Sequence, residues 1–135
     1  MSKYASGGIM KRGMAYAVKP AGAETTSTTG SSFEVGEAGA VYVPVVVTAV
    51  SGTTPTLVVV IEGSADNVTF FTIGQIGLSG FVVGSAAAAP TNIIANGTYV
   101  GVFPAMQFMR YRSVIGGTTP SFTYSVGFEA DKSAF

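Results

Sequence analysis

A short segment occurs twice in this 135-residue sequence, and its repetition constrains the fold more than any other feature. Gly52-Thr53-Thr54-Pro55 recurs as Gly117-Thr118-Thr119-Pro120, and apolar, β-branched or aromatic residues flank both copies. Such flanks around a segment that contains glycine and proline are typical of a strand, a tight turn and a second strand. The two copies, called here the echoed segments, therefore predict β-hairpins. They are either pseudo-equivalent hairpins on two sheets or one turn type that is used twice.

The sequence from Phe33 onward predicts β-structure throughout. Candidate strands lie at 40–50, 56–62, 69–73, 78–83, 99–103, 107–115 and 121–129. In the last of these the apolar residues alternate with small or polar ones, as in a half-buried strand. Pro44 indicates that the first is an edge strand or carries a bulge. Seven or eight short strands predict an all-β fold, an antiparallel β-sandwich or jelly roll over residues 33–135.

Residues 1–32 differ from the rest and are predicted to form an extended N-terminal arm and linker. Residues 1–22 contain four basic residues and no acid, and residues 23–32 are rich in threonine and serine. The segment is either a solubilising terminus or an arm that orders on a partner. Its basic and aromatic residues are candidate partner contacts: Lys3, Tyr4, Lys11, Arg12 and Tyr16.

The composition argues against most enzymatic chemistry. The sequence has no Cys and no His, which excludes thiolate or imidazole metal sites and Ser-His or Cys-His catalysis. The formal net charge is zero, which gives no support for a nucleic-acid partner. We therefore expect a non-enzymatic protein without a cofactor.

The surface is predicted to be buried in an assembly. Charged residues make up 10% of the sequence, whereas an average soluble domain has about 25%. Either glycine, serine and threonine cover the surface, or much of it is buried in an oligomer or on a larger particle, and we favour the second interpretation. The sequence shows no membrane-spanning helix and no signal peptide, so we expect synthesis in a cytoplasm and no membrane partner.

Two carboxylates, Glu62 and Asp66, are the best candidates for acid–base chemistry because they are close in sequence. A glycosidase needs two placed carboxylates, and calcium takes clustered oxygen ligands. No calcium-loop spacing is present. We favour a turn at residues 64–67, in which Asp66 bonds backbone N–H groups, and an outward charge for Glu62 at a strand end.

Arg110 and Arg112 alternate on one predicted strand and so share a face. Two such arginines can bind a carboxylate, a phosphate or a partner chain, and both are candidate partner contacts. The alternative is a solvated face or a cross-strand ion pair with Glu62 or Glu129.

Two stretches resemble small β-sandwich structural proteins of tailed bacteriophages. The first, residues 54–70, contains a turn of the form Ser-x-Asp-Asn-x-Thr-Phe. The second, residues 108–126, contains Arg-Tyr-Arg and then Gly-Gly-Thr-Thr-Pro-Ser-Phe-Thr. The positions that fit the resemblance are Ser64, Asp66, Phe70, Arg110, Arg112, Gly116, Gly117, Pro120 and Phe122. The match spans residues 45–126 with a gap between 77 and 103, and the same pattern is similar to discoidin-like and carbohydrate-binding β-sandwiches.

The resemblance implies a virion component. We expect a capsid decoration, or cement, protein that binds the major capsid protein on the capsid surface, as a homotrimer. The alternatives are a tail, baseplate or fibre component, and a carbohydrate-binding adhesin module.

Overall fold

A computed structural model describes residues 15–35, 39–76 and 92–130. Six strands form one antiparallel sheet in the order β1-β6-β3-β4, with β2 also paired to β6 and β5 to β3. They are β1 (Ala15–Glu24), β2 (Phe33–Glu34), β3 (Ala40–Ser64), β4 (Phe71–Ile76), β5 (Gly97–Pro104) and β6 (Phe108–Ala130). The described strands do not close into a barrel. The prediction of an all-β antiparallel fold is confirmed.

Some predictions fall on residues outside the described ranges. They are the strand at 78–83 and the candidate contacts Lys3, Tyr4, Lys11 and Arg12. In the part of the chain that the structure describes, no helix has the length and apolar character to cross a membrane.

The prediction that the echoed segments are hairpin turns is wrong. β3 and β6 run without interruption through residues 52–55 and 117–120. The two strands pair with each other along their length, so the echoed segments lie opposite one another, with Thr53 paired to Thr118. The register shifts on both sides of Thr53, as at β-bulges.

The two echoed segments adopt the same backbone conformation. Gly52 and Gly117 have φ of 111° and 110°, and Thr54 and Thr119 both have φ of 47°. In each copy the second threonine donates its hydroxyl to the carbonyl of the preceding residue at 2.8 Å. The echoed segments are therefore related by a local twofold pseudosymmetry between β3 and β6.

The echoed segments divide the sheet into two half-sheets. The first contains β5, residues 40–50 of β3, residues 121–130 of β6, and β1. The second contains β4, residues 56–64 of β3, residues 108–116 of β6, and β2.

The sheet folds back on itself, because a residue of one half-sheet contacts a residue of the other. Phe33 pairs with Met109 in the second half-sheet, yet its ring lies 4.9 Å from that of Phe128 in the first. A straight strand from residue 109 to residue 128 would span roughly 60 Å. The bend lies between these residues, where the echoed segments interrupt the regular pairing.

One hydrophobic core fills the space between the half-sheets. Alternate residues of the predicted final strand all point into it, as their period of two predicts. The core residues include Val41, Val43, Val45, Leu57, Val59, Ile61, Ile76, Phe103, Met109, Phe122, Tyr124, Val126 and Phe128.

The prediction that β-structure begins at Phe33 is wrong, since β1 begins at Ala15 and pairs with β6. Thr28 and Gly30, in the predicted linker, also bond to β6 through their backbones. The sequence pattern does not indicate β1 because Lys19 and Pro20 interrupt its apolar residues. The Lys19 ammonium is nevertheless accommodated, since it donates to the carbonyls of Gly22 at 3.0 Å and Tyr124 at 2.9 Å.

The edge-strand prediction at Pro44 is also wrong, because β3 lies between β5 and β6 there. Pro44 pairs with Val100 of β5, and no register shift marks a bulge at this position. On the β6 side, the paired residues of β3 are Tyr42 and then Val45. Pro44 is therefore not required to donate a hydrogen bond to β6, which it could not do because it has no N–H.

Candidate functional site

An apolar surface covers the solvent side of the first half-sheet. Its residues alternate with the core residues of β3 and β5, and together they form the outer apolar face: Tyr42, Pro44, Val46, Val100 and Val102. Tyr42 pairs with Val102 and Pro44 with Val100, so the side chains are cross-strand neighbours. Tyr42, Val46 and Val100 expose 45%, 36% and 37% of their surface.

No charged residue occurs in residues 40–50 or 97–104, so the outer apolar face has no charge of its own from these strands. The opposite side of both strands is already occupied by the core. A contiguous exposed apolar patch on a folded domain is typical of a contact surface for another macromolecule. This face is the candidate interaction surface of the described residues.

A second cluster lies on the second half-sheet, where two arginines share one carboxylate. Arg110 donates its Nε–H to Oε1 of Glu62 at 2.7 Å, and Arg112 donates its Nε–H to Oε2 at 3.0 Å. The register places Glu62 opposite Arg110, with Arg112 two residues along the same face. The Arg110 guanidinium also lies 3.8 Å from the centre of the Phe70 ring. We call these three charged residues the arginine–glutamate cluster.

The alternative of a cross-strand ion pair with Glu62 is confirmed, and both arginines take part in it. The prediction that Glu62 is an outward charge is wrong, because its side chain is buried. Burial alone raises the pKa of Glu62, but the hydrogen bonds and charges of Arg110 and Arg112 more than offset burial and hold that pKa below its usual value. Glu62 is therefore ionised at neutral pH, and the cluster has a net charge of +1. A general acid for glycoside cleavage needs a raised carboxyl pKa, so Glu62 is unsuited to that role.

The turn predicted at residues 64–67 is confirmed. The Asp66 carboxylate accepts the backbone N–H groups of Val68 and Thr69 at 2.9 and 3.0 Å, and the Ser64 hydroxyl donates to it at 2.9 Å. Hydrogen bonds from Thr69, then from Val68 and Ser64, lower the pKa of Asp66. Among the described residues no group of three or more acidic or other ligating side chains converges as a metal site would require.

A third polar cluster, at the end of β1, was not predicted from the sequence. The Glu24 carboxylate accepts the hydroxyls of Tyr124 and Ser113, each at 2.5 Å, and makes a longer contact of 3.5 Å with the hydroxyl of Tyr111. Tyr124 belongs to the first half-sheet, and Tyr111 and Ser113 belong to the second. Glu24 therefore joins the two halves.

Burial affects the ionisation of the groups around Glu24. Burial, followed by the charge and hydrogen bond of Glu24, raises the pKa of Tyr111 to about 12. Burial also raises the pKa of Tyr124. Burial lowers the pKa of Lys19, although the negative charge of Glu24 acts in the opposite direction. One sequence signal pointed to this cluster: the alternation predicts an inward Tyr124, and a buried tyrosine hydroxyl needs a partner.

The structure places the described candidate contacts on different parts of the sheet. Tyr16 lies in β1 opposite Phe128, whereas Arg110 and Arg112 lie together on the second half-sheet. Sequence reasoning identified the arginine pair but not the outer apolar face, since only strand pairing brings Val100 beside Pro44.

The sequence matches no protein-family model, and no curated protein matches it.

Proposed function

We propose that this chain is a non-enzymatic virion structural protein: a capsid decoration protein that binds the major capsid protein and stabilises the phage head shell. The observation that carries the proposal is the outer apolar face, an exposed apolar patch bordered by Glu129, on a sheet whose other side already packs against the core. In this proposal the folded-over sheet is a variant of the β-sandwich or jelly roll. The resemblance of residues 54–70 and 108–126 to phage structural proteins supports it.

The proposed mechanism is thermodynamic linkage. A protein that binds only the assembled shell shifts the equilibrium toward that shell by its binding free energy. Repeated copies, arranged as trimers on the capsid surface, add weak contacts through multivalency. The fold needs no catalytic group or cofactor for this role, and neither a nucleic acid nor a membrane is a proposed partner.

The basic N-terminal segment is the second proposed contact. Lys3, Tyr4, Lys11 and Arg12 precede β1, and Tyr16 lies at its start. In this proposal they bind the capsid protein beside the first half-sheet, since Ala15 pairs with Glu129 and Glu129 pairs with Tyr42 of the outer apolar face. The protein would be made in the host cytoplasm and located on the finished virion.

The decisive measurement is the copy number of this chain in purified particles, by quantitative mass spectrometry against the major capsid protein. Copies comparable to the shell subunits support a decoration protein. A few copies per particle would move the protein to the tail, baseplate or fibre, and absence from particles would overturn the virion proposal.

The outer apolar face is tested by adding charge to it. We expect Val46→Lys combined with Val100→Lys to abolish co-sedimentation with shells that lack the protein. Val68→Lys combined with Phe71→Lys is the matched control, because it adds the same two charges at side chains that are 78% and 54% exposed, in the turn after β3 and at the start of β4 in the second half-sheet. Equal loss in the control, or none in the double variant, would contradict this surface as the contact.

A carbohydrate-binding adhesin module is the second candidate, and two exposed aromatic rings favour it. Tyr42 and Phe71 are 45% and 54% exposed, and exposed aromatic rings can serve as platforms for sugars. Binding to a glycan array that is lost on Tyr42→Ala or Phe71→Ala, in a chain absent from particles, would support this alternative. Deletion of residues 1–14 should leave glycan binding intact but abolish particle binding.

A further inference from the structure

We infer that Arg110 and Arg112 form a recognition site for a carboxylate side chain on a protein partner. The inference deepens the proposed function and rests on it for the partner, which would be an acidic segment of the shell protein. The site itself lies on the second half-sheet, whereas the outer apolar face lies on the first.

The first step is that Glu62 holds both guanidinium groups in place. Each arginine binds Glu62 through Nε alone, at 2.7 and 3.0 Å, and the Glu62 side chain is only 10% exposed. The Phe70 ring further restrains Arg110 through its contact of 3.8 Å. Ordering two long side chains before binding reduces the entropy that a ligand must overcome.

The second step is that both arginines retain donors for a ligand. Most of the N–H groups of a guanidinium are on its two Nη atoms. Within the described residues these Nη atoms make no hydrogen bond, and the side chains of Arg110 and Arg112 are 29% and 37% exposed. Two adjacent guanidinium groups can therefore present their donors to one anion at the surface.

The third step concerns the class of anion. The two arginines already share one carboxylate, each binding one of its oxygens, so they are close enough together for a single group of this kind to bridge them. With a net charge of +1, it is neutralised by one further carboxylate, whereas a phosphate dianion leaves an excess negative charge. Val114, which follows Arg112 on the same face and is 42% exposed, indicates that the acidic residue of the partner has an apolar neighbour.

The test uses the whole protein and a short, terminally capped oligoglutamate peptide as the probe. Titration is followed by the Nε–Hε signals of Arg110 and Arg112 in ¹⁵N NMR spectra. We expect saturable shifts of both signals with oligoglutamate and none with oligoglutamine of the same length. Tighter binding of inorganic phosphate than of oligoglutamate would overturn the carboxylate assignment.

Arg112→Gln is expected to weaken oligoglutamate binding about tenfold, because it removes one charged guanidinium group while Arg110 still pairs with Glu62. Lys132→Gln is the matched control, because it removes the same charge from the segment after β6, which is not a proposed contact. An equal loss in the control would show that only overall charge attracts the peptide and would overturn the inference.

Arg112→Lys keeps the charge but loses the planar set of guanidinium donors. It replaces Arg112→Gln in the test if that variant does not fold. We expect several-fold weaker binding, and wild-type affinity would overturn the inference. The peptide assay needs no virion, so its failure overturns the arginine site alone. Absence of the chain from particles overturns the proposed function but leaves a positive peptide result standing.

Discussion

The Cα atom of Pro120 lies 2.8 Å from the position that a β-carbon on Gly52 would occupy. The relationship is reciprocal, because the Cα atom of Pro55 lies 2.9 Å from the same position on Gly117. Each echoed segment thus places its proline against the glycine of the other. The repetition in the sequence reflects a mutual fit between two paired strands at the point that divides the half-sheets.

Gly52→Ala should lower the free energy of unfolding by about 2–4 kcal/mol. Alanine is strained at a φ of 111°, and its β-carbon would also meet the backbone of residues 118–120. Gly117→Ala should cost a similar amount, since its φ and contacts are nearly the same. Urea denaturation of both variants measures the effect.

Gly22→Ala in β1 is the control for these substitutions. The nearest atom to its added β-carbon is the Pro20 carbonyl oxygen at 3.9 Å, an ordinary contact. Its unfolding free energy should stay within about 0.5 kcal/mol of wild type. Similar losses in all three variants would contradict the close fit of the echoed segments.

The features that the sequence predicted correctly depend on local pattern. Phe122, Tyr124, Val126 and Phe128 point into the core because side chains alternate along a strand whatever its partner. The Asp66 turn forms because its hydrogen bonds join residues within three positions of one another. The pair between Glu62 and Arg110 could be anticipated because opposite charges on neighbouring strands attract.

The errors arise where pairing over long distances decides the structure. Glycine with positive φ, followed by threonine and proline, suits a hairpin turn and a bulge equally well. The bulge forms because Thr53 pairs with Thr118, a contact between residues far apart in sequence. β1 was not predicted for the same reason. The buried Lys19 ammonium is stabilised by a hydrogen bond to the carbonyl of Tyr124, a residue far away in sequence.

Glu62→Gln should lower the free energy of unfolding at pH 7 by about 1–2 kcal/mol. The change leaves Arg110 and Arg112 adjacent without their shared negative charge. The loss is smaller than for a fully buried ion pair because both arginines are partly exposed. Guanidinium denaturation gives the value, with Glu34→Gln as the control, since the Glu34 side chain bonds only the exposed Gln107 in the described structure.

The contribution of Glu62 should also depend on pH. Its pKa is lower in the folded protein than the ordinary value of 4.5, so ionised Glu62 stabilises the fold above that pH. The contribution is lost as the pH falls below 4.5 through the folded pKa. The stability difference between wild type and Glu62→Gln should therefore shrink in acid, and a difference that stays constant down to full protonation would contradict the ion pair.

Tyr111 should make the fold sensitive to alkali. Its pKa rises from 10.0 in the unfolded chain to about 12 in the folded protein, chiefly through burial and then through Glu24. The neutral phenol therefore contributes stability that is fully present below pH 10.0 and is lost as the pH rises toward about 12. Unfolding measured across this range should show less alkaline loss in Tyr111→Phe than in wild type.

Absorbance titration of the tyrosine hydroxyls shows whether Tyr111 causes the alkaline loss of stability. The Tyr111→Phe variant should lack one late-titrating phenol, and Tyr42→Phe controls for removing a phenol from the exposed outer apolar face. An alkaline stability profile in Tyr111→Phe identical to that of wild type would show that Glu24 and burial do not protect this hydroxyl.

Phe33→Ala tests whether the folded-over sheet depends on contact between its halves. Phe33 is 7% exposed and meets the Phe128 ring edge-on, so its loss leaves a cavity where the two half-sheets touch. We expect the free energy of unfolding to fall by about 3–4 kcal/mol in urea. Phe71→Ala, at a ring that is 54% exposed, should cost less than about 1 kcal/mol. Equal losses would show that the halves stay together without this aromatic contact and that the bend at the echoed segments alone maintains the fold.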